Sequence, residues 1–194
     1  TIDQKGLLSS LLRVSGLIHD LGNPPYGHFG EEAIKKFFTD YFIKNPEHKL
    51  TDIEKADFEN FDGNVQTLRI LSKLYYFGDE FGYNLTYSSL ASIIKYPSDS
   101  ITGNDGKDFK EIAKKKFGYF VTEINTYEEI DKYLQLNSRR SPIVYLLEAA
   151  DDIAYSAADI EDGVKLGIID IPKVRSVFEK NLTINKEKVI TKLD

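Results

Sequence analysis

An imidazole and a carboxylate stand side by side at His19-Asp20, and a second such couple follows at His28 and Glu31. Neutral imidazole with carboxylate is a mixed nitrogen and oxygen donor set that suits a divalent first-row metal. A bare His-Asp dipeptide also arises by chance or as a helix cap. Here it closes an apolar helical stretch and is followed by Gly22-Asn23-Pro24-Pro25-Tyr26-Gly27, a turn that no helix can cross. Ionisable groups on both sides of so sharp a bend mark a site. The remaining histidine, His48, lies in the polar run Asn45-Pro46-Glu47-His48-Lys49 and reads as a surface residue.

A second source of chemistry is acidic. Glu148, Asp151, Asp152, Asp159, Glu161 and Asp162 occupy one stretch without a single Lys or Arg. At helical spacing Asp151, Tyr155 and Asp159 share a face, while Val144, Leu147, Ala150, Ala154 and Ala158 form a small apolar face that implies close packing against other helices. A solvated acidic face is one reading of this run. Like charges four apart are mildly destabilising, however, and a nearby cation would relieve them.

The elements that must position these groups read as helices. Leu7, Leu8, Leu11, Leu12, Val14, Leu17 and Ile18 recur at helical spacing up to His19. A second helix is expected from about Glu31, carrying Ala33, Ile34, Phe37 and Phe38. Val65, Leu68, Ile70, Leu71 and Leu74 suggest a third. Thr86 is placed to cap another containing Leu90, Ile93 and Ile94, stopped by Pro97. The stretch 97–108 reads as an exposed loop and Tyr127–Leu136 as a short helix. Pro142 opens the strongest helix, expected to end at Asp162 with Gly163 as its stop, and Pro172 opens the last, through Val174, Val177 and Phe178. No strand pattern persists. The fold class expected is all-α.

The 194 residues suffice for one sizeable core, and the expectation is a single domain over 1–194. With 41% hydrophobic and 29% charged residues the chain fits a soluble globular protein in the cytoplasm. No apolar run reaches the length of a membrane span. The start, Thr1-Ile2-Asp3-Gln4-Lys5, lacks the pattern of a secretion signal. Cysteine is absent, which excludes disulfides and thiolate metal sites. A net charge of −6 argues against a general nucleic-acid binder but leaves room for a phosphorylated small molecule held by a local metal and lysines.

The stretch His19-Asp20-Leu21-Gly22-Asn23-Pro24-Pro25-Tyr26-Gly27-His28-Phe29-Gly30-Glu31 closely resembles the signature of the dGTPase-type dNTP triphosphohydrolases, within the HD-domain phosphohydrolases. Glu148-Ala149-Ala150-Asp151-Asp152-Ile153-Ala154-Tyr155 resembles their second metal motif. Phe61-Asp62-Gly63-Asn64-Val65-Gln66-Thr67, Lys95-Tyr96-Pro97 and Lys116-Phe117-Gly118-Tyr119-Phe120 resemble further blocks, in the family's order.

The resemblance implies an HD-domain helical bundle and hydrolysis of deoxynucleoside triphosphates, dGTP first, to deoxynucleoside and inorganic triphosphate. It makes His19, Asp20 and Asp151 ligands of a divalent ion (Mg²⁺ or Mn²⁺, with Fe²⁺ an option), and His28 and Glu31 the catalytic pair. Tyr155 and Asp159 would hold the deoxyribose. Asn64, Lys95, Tyr96 and Lys116 would line the substrate site, the lysines toward phosphate. It further implies a homo-oligomer, a hexamer by family analogy, with nucleic acid only as an effector. Family members carry another metal-ligand histidine before the His-Asp motif and a further C-terminal region; their lack here predicts a fragment of a longer protein. Two other readings are an HD-type phosphohydrolase of monophosphates or cyclic nucleotides, and a non-catalytic nucleotide sensor built on the same site.

Overall fold

The computed structural model describes residues 2–75, 81–103 and 116–181, and among these there are α-helices and short helical turns but no strand. The all-α expectation is met. The chain divides into two compact units, Thr1–Leu147 and Glu148–Asp194.

The first unit contains α1 (Ile2–Ile18), α2 (His28–Lys44), α3 (Asp52–Glu59), α4 (Gly63–Arg69, continued by a π-turn over Ile70–Leu74), α5 (Tyr87–Ala91), α6 (Ile124–Leu134) and the start of α7 (Pro142–Lys165). Its core gathers Leu68 and Leu71 from α4 and its extension, Leu90, Ala91, Ile93 and Ile94 from α5 and beyond, Tyr119 from the segment before α6, Tyr127 and Ile130 from α6, and Leu147 from α7. Burying each large aliphatic side chain stabilises the fold by about 1.5–3 kcal/mol. Ile18, the last residue of α1, packs against this cluster and so anchors the helix end that carries His19. A smaller cluster of Val65, Phe117, Phe120 and Phe61 lies beside it. Val65 and Leu68 project from the same short helix, so α4 sits between the two clusters.

Several expectations shift by local chemistry. The second helix begins at His28, three residues earlier than Glu31, because Gly27 adopts φ 54° and ψ −128° at its N-cap, a conformation open to glycine. Thr86 caps α5 as expected, accepting from Ser89 N–H. The helix α3 went unread, although Thr51 and Glu54 form a complete capping box at its start. Gly163 does not stop α7, which continues to Lys165 with Lys165 paired to Glu161 at 2.8 Å; the left-handed Gly167 (φ 70°) follows the helix end. The 97–108 stretch is not simply exposed: Ser98 and Ser100 are buried, Ser98 Oγ donates to the Lys116 carbonyl at 3.0 Å, and residues 104–108 lie outside the described residues.

His48 is also corrected. It is half-buried with its ring 4.8 Å from that of Phe42, edge to face, because the turn after α2 folds back on that helix. In α1, Leu7 and Leu17 are exposed while Ser15 is buried and shares a hydrogen bond with Ser92, so the apolar stripe is only partly used within this chain. No helix among the described residues is long and apolar enough to cross a membrane.

The second unit carries the rest of α7 and α8 (Ile171–Asn181), which starts one residue before Pro172. On α7, Val144 and Leu147 are buried in the first unit, and Ala150, Ala154 and Ala158 belong to the second.

Candidate active site

The end of α1 sets the first pair of groups. His19 Nδ1 lies 2.9 Å from the Gly16 carbonyl. A carbonyl only accepts, so Nδ1 carries the proton and the neutral ring has its lone pair on Nε2, the arrangement by which a metal-binding imidazole is oriented. Nε2 is 3.4 Å from Asp20 Oδ2. Two donors about 2.1 Å from one ion at right angles stand about 3.0 Å apart, so this couple fits two adjacent ligand positions of a divalent cation. Among the described residues no group of three His, Asp or Glu side chains forms a metal-binding cluster. Asp151, the other expected ligand, stands in the second unit.

The turn after Asp20 lies against the start of α4. A side chain at Gly22 would collide with the Gly63 carbonyl and the Thr67 backbone nitrogen, and one at Gly63 would meet Asn23 Oδ1 and Glu31 Oε1. Gly22 N–H donates to Thr67 Oγ at 2.9 Å. Only backbone without side chains approaches this closely.

The second pair is made by α2. His28 Nδ1 donates to Glu31 Oε2 at 3.0 Å, and the other oxygen, Oε1, accepts the Gly63 N–H at 2.8 Å. The two side chains differ sharply in environment: His28 is 90% exposed and Glu31 5%. A carboxylate fixed on a backbone amide therefore holds one edge of an imidazole whose Nε2 can exchange protons. That is the layout of a general acid or base with its orienting group. The spacing of three residues on one helix turn brings the two together.

Lys116 reaches the same region. Its ammonium binds Asp62 Oδ2 at 2.7 Å. Burial pulls the lysine's pKa down, but the hydrogen bond and charge of Asp62, with the charges of Glu31 and Tyr96, outweigh it and hold the pKa above its ordinary value. Burial likewise pushes the Asp62 carboxyl up, yet Lys116 and Asn64 together keep it below the usual range. Asn64 does not cap α4. Asp62 does, its Oδ1 accepting from both the backbone N–H and the side-chain Nδ2 of Asn64 at 2.9 and 3.0 Å.

Lys95 and Tyr96 are half-buried beyond α5. The Arg140 guanidinium lies 5.7 Å over the Tyr96 ring and 4.5 Å over that of Tyr145. Gly118 presses on the Tyr96 carbonyl, which keeps the Tyr96 and Lys116 segments adjacent. Arg69 donates to Thr122 Oγ at 3.0 Å and lies 5.9 Å over Phe120.

In the second unit Asp151, Tyr155 and Asp159 follow one another along α7; Asp151 is half-buried, and Tyr155 and Asp159 are exposed. Sequence reasoning missed Asp62 and Thr67 as working parts. Both lie inside the Phe61–Thr67 block, and the signal available was an aspartate just before a glycine-led helix start.

No protein-family model matches the chain. Among curated proteins it is 44% identical over 192 residues to a deoxyguanosinetriphosphate triphosphohydrolase-like protein of Listeria innocua, covering 96% of this chain and 40% of that one. A protein of the same description from Pseudomonas aeruginosa is 36% identical over 177 residues, covering 88% of this chain and 39% of its own length. The deoxyguanosinetriphosphate triphosphohydrolase of Yersinia enterocolitica is 29% identical over 190 residues, covering 85% and 36%. The chain thus spans about two fifths of the length of the curated relatives it matches.

Proposed function

Because this chain belongs to the family of deoxyguanosinetriphosphate triphosphohydrolase-like proteins, we propose that the protein carrying it hydrolyses deoxynucleoside triphosphates, dGTP first, to deoxynucleoside and inorganic triphosphate. The observation that supports the reading most is the exposed His28 held by a buried Glu31 within the same glycine-lined contact that seats His19 and Asp20. A nucleotide-binding module without chemistry has no use for an oriented proton carrier there.

In this reading His19, Asp20 and Asp151 hold a divalent ion, Mg²⁺, Mn²⁺ or Fe²⁺. When bound, it supplies Lewis-acid polarisation of the phosphate and a lowered pKa for a water. Water attacks the α-phosphorus, the bond to the 5′-oxygen breaks, and inorganic triphosphate departs from the deoxynucleoside. The 5′-oxygen gains a proton, and His28 Nε2 moves it while Glu31 keeps the ring in place. Lys116 has three N–H donors and shares one with Asp62, so two are available to phosphate oxygens. Lys95 adds charge, Asn64 and Tyr96 line the pocket, Tyr155 packs on the sugar, and Asp159 accepts its 3′-hydroxyl.

The test is product analysis with the full-length protein, dGTP and Mn²⁺ or Mg²⁺, read by phosphorus NMR and nucleoside chromatography. Deoxyguanosine with intact tripolyphosphate is expected, and His28→Ala lowers kcat by about 10²–10⁴-fold. Release of orthophosphate or a monophosphate, or binding with no turnover of any dNTP, refutes the proposal.

A further inference from the structure

We propose that Thr67 is the positioning residue that fixes the His19-Asp20 pair relative to the His28–Glu31 pair; for its kinetic part this inference rests on the function proposed above. Thr67 lies on α4, fully buried. Its Oγ accepts the Gly22 N–H at 2.9 Å and stands 3.0 Å from the His19 carbonyl and 3.1 Å from the Gly63 carbonyl, between which its one proton is shared. Gly63 in turn donates its N–H to Glu31, which orients His28. One hydroxyl therefore ties the backbone of His19, the turn that follows it, and the helix start holding the catalytic carboxylate.

Gly22 and Gly63 have no side chains, and a Cβ at either would strike the other segment, so the two backbones meet face to face with Thr67 as their polar link. Within a helix, a threonine hydroxyl ordinarily bonds back one turn to a carbonyl. Thr67 does so toward Gly63 and uses its remaining capacity on a segment more than 40 residues away.

Valine has nearly the same shape but no hydroxyl. In Thr67→Val the buried Gly22 N–H loses its acceptor, and the turn must move to find water. A displacement near 1 Å between reacting groups lowers turnover by about 10²-fold. The experiment compares wild type, Thr67→Val and Thr67→Ser in the full-length protein. It measures kcat and KM for dGTP, and Mn²⁺ affinity of the metal-stripped protein by calorimetry.

Thr67→Val is expected to lower kcat by about 10–10²-fold, with KM changed by less than about threefold, and to weaken Mn²⁺ binding by about tenfold. Thr67→Ser keeps the oxygen and should restore both to within about threefold of wild type. Should Thr67→Val fail to fold, Thr67→Cys, whose S–H is a weak donor and acceptor, takes its place and is expected to lose turnover and Mn²⁺ affinity while Thr67→Ser keeps both.

A folded Thr67→Val with wild-type kcat and Mn²⁺ affinity overturns the inference. So does Thr67→Ser as impaired as Thr67→Val or Thr67→Cys, since packing alone would then explain the loss. A wild type that binds Mn²⁺ but hydrolyses no dNTP refutes the proposed function alone, and the calorimetric comparison still decides Thr67. A wild type that binds none of Mn²⁺, Mg²⁺ and Fe²⁺ overturns both.

Discussion

Replacing Glu31 by Gln exchanges one carboxylate oxygen for an amide nitrogen and leaves shape almost untouched. The carboxylate accepts two N–H groups, from Gly63 at 2.8 Å and from His28 at 3.0 Å. The amide has one acceptor oxygen, so one contact must turn into a donor facing a donor unless its partner adapts. Gly63 N–H belongs to a buried helix start and cannot adapt. His28 can, by moving its proton from Nδ1 to Nε2. The variant therefore keeps the Gly63 bond, turns its NH₂ toward His28 and selects the opposite tautomer, while an imidazolium loses its counter-charge.

A hydrogen bond to a charged group is worth about 1.5–3 kcal/mol against about 0.5–1.5 kcal/mol for a neutral one. The difference of about 1–2 kcal/mol converts to about 5–30-fold in rate, before the tautomer penalty. In a Ser-His-Asp triad the equivalent exchange lowers kcat by about 10⁴-fold, so tautomer control can dominate. The expected loss in kcat is thus at least about tenfold, with KM nearly unchanged. The assay is steady-state release of deoxyguanosine from dGTP, with metal content and Tm measured alongside. A variant with normal metal and Tm that retains kcat within about threefold would show that Glu31 does not orient a working His28.

Asp62→Ala removes both the α4 cap and the Lys116 partner, and should lower stability by about 1–2 kcal/mol in urea unfolding. Asp62 titrates lower folded than unfolded, so its contribution is full above about pH 4 and drains as pH falls through the lowered value; the variant's deficit should shrink on acidification, and a constant deficit would refute the pairing. Glu123 has the opposite sign. Burial raises its pKa more than Thr122, Arg69 and Lys73 lower it, so the native state holds its proton longer and the penalty grows as pH rises above about 4. Glu123→Gln should therefore gain stability relative to wild type between pH 4 and pH 7, and a gap that does not widen refutes the assignment. Asp159→Ala should abolish dGTP turnover with metal content near normal, whereas Asp151→Ala should lose metal first. Metal analysis of both proteins checks this, and loss of metal from Asp159→Ala would remove its sugar-binding role.

What could be read from the sequence was local. Pro24-Pro25 after an apolar stripe placed the helix end at His19, and Thr86 and Pro142 marked helix starts, whereas the pairing of His28 with Glu31 came from the family resemblance and the helix that joins them starts earlier than the sequence suggested. The capping box at Thr51 was equally local and could have been found by the same rule. The rest depends on tertiary contact. Nothing in a polar stretch says that His48 will lie on Phe42, and an apolar stripe does not reveal that Ser15 will be buried while Leu17 is not. The Asp62–Lys116 pair and the Thr67 link each join distant segments, with no periodicity to announce them. The glycines gave the nearest hint, since Gly22 and Gly63 sit where two backbones touch, but which glycine meets which is a property of the fold.

The electrostatics of the first unit bear directly on how a triphosphate could be held by a chain of net charge −6. Lys116 stays charged, yet Asp62 accompanies it and Glu31 lies near enough to favour its charge. With one cation against two carboxylates, the platform that joins these groups is net negative before substrate arrives. Because Asp62 also caps α4 and bonds Asn64, it cannot leave when phosphate binds. Lys116 then acts as a bridge, with one N–H on Asp62 and two toward phosphate, and it supplies direction more than net charge. On the proposed reading the bulk of the positive charge must come from the divalent ion, which makes substrate affinity depend on metal occupancy more steeply than on this lysine. Lys116→Gln should accordingly weaken dGTP binding less than removal of the metal does, and the reverse order would place the phosphate chain on the lysine instead.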